Sequence, residues 1–368
     1  MILALGILIT ACLLDGCSRQ QRPSFSSGYD REELTELLCV CERIYDSSDL
    51  GGFKTPDPTE FTHVYRSPVS PLINRFDIWK SEDGRGVFAF RGTILDTAGL
   101  SFSLNFYALM VAAEGQVKVS DSFVFQYKLA SLPGATVHLG CLLGLATLSN
   151  SLLDQVQRQY ADGIKDFYII GHSQGAGLAY YATAWLRYLQ KKGKLPEEIR
   201  FKTYAIAAPK AGNMLFAYDY ENITSGGWSF SVQNVIDWVP YIPLSFERTE
   251  DFPVVGPFTH IRSFLKDATF PPGPDFERGY AFYSKTVPVY LDTITSLIHR
   301  FVHPRIARAL PGYEEPATIP SSYFERIGIT VPLVPDPAYY RKFPNDQEQF
   351  SVWENHSVYP YYVLVKGE

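Results

Sequence analysis

The chain predicts an α/β fold, a mainly parallel central sheet with helices on both faces. Three observations lead there. Apolar runs at Gly86–Phe90, Asp166–Ile170, Lys202–Ala207 and Phe230–Ile236 read as buried strands, and helical patterns separate the later ones. One of these runs breaks directly into a glycine-rich turn and then a helix, at Gly171–Gly177. The 368 residues are 46% hydrophobic and include 25 Phe, 24 Tyr and 5 Trp, ample for a large core. The 15% aromatic content suits a big core first and an apolar substrate groove second. Formal net charge is -6 with no basic stripe, which excludes a nucleic-acid partner.

The N-terminus stands apart from this pattern. Met1–Leu14 is almost wholly apolar and too short to span a membrane, as a secretory signal is. Two cysteines close it. Cys12 follows Ile9-Thr10-Ala11, and Cys17 follows Leu14-Asp15-Gly16. Both contexts resemble the lipobox of bacterial lipoproteins, in which the Cys is acylated, although no Lys or Arg precedes the run. Residues 1–17 are therefore expected to be an export signal, with lipid on Cys12 or Cys17 or with plain secretion as the alternative. Residues 18–28 are expected to be a polar tether, and 29–368 a single domain.

Within that domain, Tyr29–Tyr45 reads as an amphipathic helix. Leu34, Leu37, Leu38, Cys41 and Ile44 share a face, and Asp30, Glu32 and Glu33 fall in the first turn. Thr62–Arg66 and Phe76–Lys80 read as strands, the latter joined to Gly86–Phe90 by a turn at Glu82-Asp83-Gly84. Leu104–Ala113 suggests a short helix over the site, Ser122–Leu129 a strand, and Val137–Tyr160 a long helix. From about residue 244 to 350 the chain is rich in Pro and aromatics, a long insertion with one clear helix over about Val289–Ala309. Its apolar face, Leu291, Ile294, Leu297, Ile298 and Phe301, suits packing; a mobile cap is the alternative. Cys39, Cys41 and Cys141 read as buried free thiols, with no zinc spacing.

The chemistry centres on Gly171-His172-Ser173-Gln174-Gly175. A strand that turns through Gly-x-Ser-x-Gly into a helix is the nucleophile elbow of α/β-hydrolases, and it would lift Ser173 above the sheet edge. A serine needs a base, and the base needs a carboxylate to hold its tautomer. Downstream, Asp237 ends an apolar strand and is the acid candidate; Asp219, Asp251 and Asp292 lie in polar or helical contexts. His356, in Trp353-Glu354-Asn355-His356-Ser357 just before the aromatic Tyr359–Val365 run, is the base candidate. His260 is the runner-up. His299 and His303 are spaced i,i+4 on the long helix but lack a third metal ligand. For the oxyanion, the backbone N–H of Gln174 is one donor. Phe90-Arg91-Gly92-Thr93 would supply another through Thr93, with Arg91 a structural ion-pairing residue.

Taken together these blocks resemble the class 3 lipases, the fungal-lipase-like branch of the α/β-hydrolases. Val87–Thr93, Val137-His138-Leu139-Gly140, Ile170–Ala176, Ala207–Asn213 with Phe216-Ala217, and Asn234–Pro240 carry the likeness over about residues 60–243, with a short patch at His356. The resemblance implies Ser173 as nucleophile, Asp237 as acid, His356 as base, and Thr93 with Gln174 as oxyanion donors. It gives His138 a packing role. Gln174 stands where the family usually has Leu, which would make the pocket edge more polar. The implied activity is a carboxylic ester hydrolase, a lipase or esterase acting on lipid or other acyl esters through an acyl-enzyme. It needs no cofactor and no metal. Its partners are the ester substrate and a membrane surface reached through the N-terminal anchor. The alternatives are a phospholipase or acyltransferase on the same site, and a catalytically silent surface-binding lipoprotein.

Overall fold

A computed structural model describes residues 25–46, 52–252, 274–344 and 353–367. The apolar runs become strands. In chain order these are β1 (Phe61–Arg66), β2 (Phe76–Ser81), β3 (Arg85–Phe90), β4 (Met110–Ala112), β5 (Glu114–Ser120), β6 (Phe123–Lys128), β7 (Thr136–His138), β8 (Asp166–His172), β9 (Arg200–Ile206), β10 (Ser229–Asn234), β11 (Thr318–Ile319) and β12 (Ile329–Leu333). The helices are α1 (Arg31–Arg43), α2 (Leu100–Phe106), α3 (Leu139–Ala161), α4 (Gln174–Lys191), α5 (Met214–Ile223), α6 (Pro274–Phe301), α7 (His303–Ala309), α8 (Pro337–Lys342) and α9 (Val358–Lys366).

Seven strands form the central sheet in the order β1-β2-β3-β8-β9-β10-β12. The first two junctions are antiparallel and the remaining four parallel. Alternate side chains explain why the central strands read as unbroken apolar runs. Val87, Ala89, Tyr168, Ile170, Tyr204 and Ile206 meet α1 and α9 on one face. Phe88, Phe90, Phe167, Ile169, Phe201 and Ala205 meet α3 and α4 on the other. The parallel register sets Phe90 beside Gly171, so the loops after β3 and β8 leave the same sheet edge as neighbours.

Several elements differ from the sequence expectation. Leu104–Ala113 is not one helix: α2 ends at Phe106 and the remainder becomes β4, which pairs with β7 and β11. The long helix starts two residues late because Thr136–His138 is recruited into that small sheet. The helix expected from Val289 begins at Pro274, keeps Pro288 within it, and breaks before α7. Of its apolar face, Leu291 and Ile298 are buried and Ile294 half-buried, while Leu297 and Phe301 stay exposed. The segment 244–350 also supplies β12, a parallel partner of β10, so that part of it completes the sheet. The expected tether does not reach residue 28. Phe25 is buried against Tyr168 and Trp228 at 4.9 and 5.6 Å between ring centroids, and the Gly28 N–H donates to the Gly227 carbonyl. The signal segment and both Cys12 and Cys17 lie outside the described residues. No helix among the described residues is long and apolar enough to cross a membrane. Cys39, Cys41 and Cys141 are free and buried, and burial pushes the Cys39 and Cys141 thiols up to about 12.

Helix α1 is bolted to the sheet by charge. Asp30 caps it, accepting from the N–H groups of Glu32 and Glu33 at 2.9 and 3.0 Å. The Glu33 carboxylate takes the Tyr168 and Tyr204 hydroxyls at 2.5 and 2.6 Å and pairs with the buried Lys202 ammonium at 2.5 Å. Removing that carboxylate strands a buried cation, a loss of typically about 3–5 kcal/mol. Glu33→Ala is expected to lower unfolding free energy by that order in urea titrations, while Glu33→Gln should lose less because its amide oxygen still accepts.

Candidate active site

Strand β8 delivers its chain into a turn that almost no residue tolerates. Ser173 has φ 58° and ψ −127°, a left-handed conformation that costs a non-glycine residue roughly 1–3 kcal/mol. The Ser173 N–H donates to the Ile206 carbonyl at 2.9 Å, and α4 begins at once. Two glycines make the neighbourhood possible. A Cβ on Gly175 would collide with the Phe90 carbonyl oxygen. One on Gly92 would strike the Tyr45 hydroxyl and sit 3.4 Å from the Ser173 Cβ. Elbow and β3 loop therefore touch backbone to backbone.

The structure brings Ser173, His356 and Asp237 together. His356 Nε2 lies 2.8 Å from Ser173 Oγ, and His356 Nδ1 lies 2.8 Å from Asp237 Oδ2. Asp237 is 0% exposed and His356 5%. Asp237 sits in the loop after β10. Its Oδ1 accepts the Val239 N–H at 3.0 Å, and its Oδ2 also accepts the Tyr361 hydroxyl at 2.7 Å. His356 occupies the turn that opens α9, held by its N–H to the Trp353 carbonyl. Asn234 ties the end of β10 to the turn carrying His356, donating to the Asn355 carbonyl at 3.2 Å. Asn355 is itself buried and accepts the Tyr339 hydroxyl at 2.7 Å.

Thr93 follows Gly92 in the β3 loop, which lies against the serine, and Gln174 follows the serine as the first residue of α4. As the first residue of α4, Gln174 has a backbone N–H with no acceptor inside the helix. Its side chain does not form a polar pocket edge, contrary to the sequence expectation. It is 2% exposed and turned inward among Asn74, Ser101 and Asn105. Helix α2 lies over it, with Asp96 accepting the N–H groups of Leu100 and Ser101.

Several residues beyond the expected set hold the site. His172 is a member of the elbow motif, and its burial pushes the imidazole down to about 3, with the neighbouring His356 adding to the effect. It is neutral, and its Nε2–H donates to the His356 carbonyl at 2.5 Å. Its Nδ1 accepts the Tyr45 hydroxyl at 3.2 Å, and that hydroxyl accepts the Gly92 N–H at 3.1 Å. One buried relay thus joins the β3 loop, the elbow and the turn that carries His356. Tyr361 was visible only as part of an aromatic run; its position five residues after His356 was the available signal.

The other candidates lie elsewhere. His260 falls outside the described residues. His299 and His303 both meet Glu315, at 2.9 and 3.1 Å, and the Tyr107 hydroxyl lies 2.8 Å from His303 Nδ1, so they fasten α6 and α7 to the chain after α2. Asp219 accepts from the Ser131 hydroxyl and the Tyr188 hydroxyl, a structural role. Arg91 is buried and donates to the Ile73 carbonyl at 2.8 Å. His138 caps α3 through Nδ1 and lies 3.3 Å from the Asn105 carbonyl through Nε2, and its burial pushes it down to about 4. Among the described residues no group of three or more His, Cys, Asp or Glu side chains is arranged to hold a metal.

A strained serine at a strand–helix elbow, on a mainly parallel sheet covered by helices, defines a serine hydrolase of the α/β-hydrolase fold. Residues 87–247 match the model of the lipase (class 3) family. Over that segment the chain is similar to the class 3 lipases, and the chain is a carboxylic ester hydrolase. No curated protein sequence matches it. Among solved structures it is similar to lipase II from Rhizopus niveus, at 20% identity over 58% of this chain and 75% of that one, with a TM-score of 0.42. It is also similar to a triacylglycerol lipase from Penicillium expansum, at 15% identity over 59% and 75%, TM-score 0.41. A third likeness is to the lipase from Rhizopus microsporus var. chinensis, at 21% identity over 60% and 73%, TM-score 0.38.

His172 and His138 bind a proton more readily in the unfolded chain than in the folded one. Their stabilising contribution is therefore complete above the ordinary imidazole value of about 6.5 and is lost as pH falls toward their folded values. Unfolding free energy measured in urea should fall between pH 7 and 4. His172→Gln should flatten that slope by up to about 1.4 kcal/mol per pH unit.

Proposed function

We propose that the chain hydrolyses esters of apolar acyl groups, lipid esters among them, through an acyl-enzyme on Ser173. The observation that carries this is the unbroken line of hydrogen bonds from Ser173 Oγ through His356 to Asp237. In the reading, His356 Nε2 takes the serine proton as Oγ attacks the ester carbonyl carbon. The carbonyl π electrons move onto oxygen, which is met by the Gln174 N–H and by the N–H and hydroxyl of Thr93. Collapse breaks the bond to the alkoxy group, and His356 returns the proton to it as the alcohol leaves. Water then repeats the sequence on the acyl-enzyme and releases the acid. Asp237 accepts the Nδ1–H of His356 throughout, which keeps Nε2 free to receive a proton. The phenol of Tyr361 supports that carboxylate from the other side; burial and the Asp237 charge keep it protonated.

The apolar substrate class follows from what stands beside His356. Trp353 and Trp238 lie 6.0 and 6.3 Å from its ring, and 5.3 Å from each other. Phe102 and Phe106 of α2 continue this wall, with Phe102 6.2 Å from Trp353. Trp238, Trp353 and Phe106 are partly exposed, as a surface for acyl chains needs. We also propose export, with an acylated Cys12 or Cys17 holding the domain at a membrane. Radiolabelled palmitate should enter the wild-type chain and be lost from whichever of Cys12→Ser and Cys17→Ser removes the anchor.

An acyl series from acetate to long-chain triglyceride tests the main reading. Ser173→Ala and His356→Ala should each lower kcat by about 10⁶, and Asp237→Asn by about 10⁴. A fluorophosphonate should label wild type at Ser173 and leave Ser173→Ala unlabelled. Full hydrolysis by Ser173→Ala would sink the proposal, and absence of both labelling and turnover in wild type would favour a silent surface protein. Products formed in the presence of competing alcohol separate hydrolase from acyltransferase.

A further inference from the structure

The buried amide of Gln174 sits in a chain of hydrogen bonds whose polarity has only one consistent solution. Gln174 Nε2 lies 2.9 Å from the Ser101 carbonyl oxygen, a group that only accepts. That end of the amide must therefore be the NH2. The same Nε2 lies 2.9 Å from one end of the Asn105 amide, which must then be its oxygen. The other end of Asn105 is thus its NH2, and it lies 2.8 Å from Thr93 Oγ1. Thr93 Oγ1 accepts that bond, and its own hydrogen donates to no described residue. The far side of Gln174 agrees, since its Oε1 accepts the Asn74 amide at 2.8 Å. Turning Gln174 over would set oxygen against oxygen at both Ser101 and Asn105. The backbone of Asn105 is also held, with its carbonyl 3.3 Å from His138 Nε2.

We infer that the side chain of Gln174 is a positioning residue for ester hydrolysis: it fixes the orientation of the Asn105 amide, which in turn leaves the Thr93 hydroxyl hydrogen directed to the substrate oxyanion. The inference rests on the reading of Thr93 as an oxyanion donor. It gives Gln174 two separate duties, a backbone N–H at the oxyanion and a side chain that sets the second donor from behind. It also accounts for a buried polar residue at a position where the resemblance leads one to expect leucine. A leucine there would fill the space but leave Asn105 free to present its oxygen to Thr93. The hydroxyl would then donate backwards, away from the reacting carbonyl.

The test is a double-mutant cycle on p-nitrophenyl butyrate, with kcat and KM measured separately. Thr93→Val should lower kcat by about 10²-fold at unchanged KM, with Thr93→Ser near wild type. Gln174→Leu should lower kcat by about tenfold at unchanged KM in the wild-type background, and should have no further effect in Thr93→Val. Asn105→Asp guards against a folding artefact: its carboxylate still accepts from Gln174, but it also accepts from Thr93 and reverses the hydroxyl. It should match Thr93→Val in kcat while retaining fluorophosphonate labelling at a reduced rate. If Gln174→Leu costs the same factor in both backgrounds, or if Asn105→Asp equals wild type, the positioning role is overturned while Thr93 keeps its role. If Thr93→Val itself leaves kcat unchanged, the oxyanion reading of Thr93 is at fault and the inference falls with it.

Discussion

The active centre depends on a steric contact. Strands β3 and β8 run parallel in a register that sets Phe90 against Gly171, so the two chains leave the sheet side by side. At that edge the Phe90 carbonyl occupies the space a side chain on residue 175 would need, and the Tyr45 hydroxyl occupies that of residue 92. The absence of two Cβ atoms lets the loop bearing Thr93 lie against the turn bearing Ser173. The unfavourable torsions of Ser173 are held by this contact, by the Ile206 carbonyl and by the start of α4. Relaxing any of these would move the hydroxyl before it altered the fold.

Around this contact, buried polar groups do the aligning. The neutral His172 reaches forward to the His356 carbonyl and back through Tyr45 to the Gly92 N–H. Asn234 and Tyr339 clasp the His356 turn at Asn355, and Tyr361 supports Asp237. Hydrogen bonds of this kind contribute only about 1 kcal/mol each to stability, but each fixes a direction, and leaving one partner unsatisfied in the interior costs more. That asymmetry explains why a site made of loops holds separations of 2.8 Å.

Much of this was legible in the residues. The central strands showed as apolar runs because both faces are covered, and the elbow showed because its glycines are sterically compulsory. That Asp237 and His356 would be brought to Ser173 was readable from chain order and from the apolar elements flanking them. Other features left little trace. Strand β12 carries Pro332 and is half-exposed, so Ile329–Leu333 lacks a strand's usual pattern, and its place was decided by the free edge of β10. The segment Glu114–Ser120 shows its period only through Val117 and Val119, and it becomes a strand by pairing with β6. Leu104–Ala113 is apolar enough for a helix, yet β7 recruits its second half. The direction of the Gln174 side chain is set by Asn74, Ser101 and Asn105, 100, 73 and 69 residues away in sequence, and no local pattern encodes it.

The distance along the chain between the strained serine and His356 has a consequence in time. His356 belongs to the turn that opens α9, and α9 shares its core with α1, near the opposite end of the described chain. A ribosome that has released the whole elbow, the Thr93 loop and Asp237 has still not released the imidazole. Throughout that interval the nascent protein carries the elbow serine without the imidazole that the folded chain sets 2.8 Å from its hydroxyl. The contact between Ser173 and His356 therefore forms only when α9 closes over α1, so the geometry of this site is completed late in synthesis.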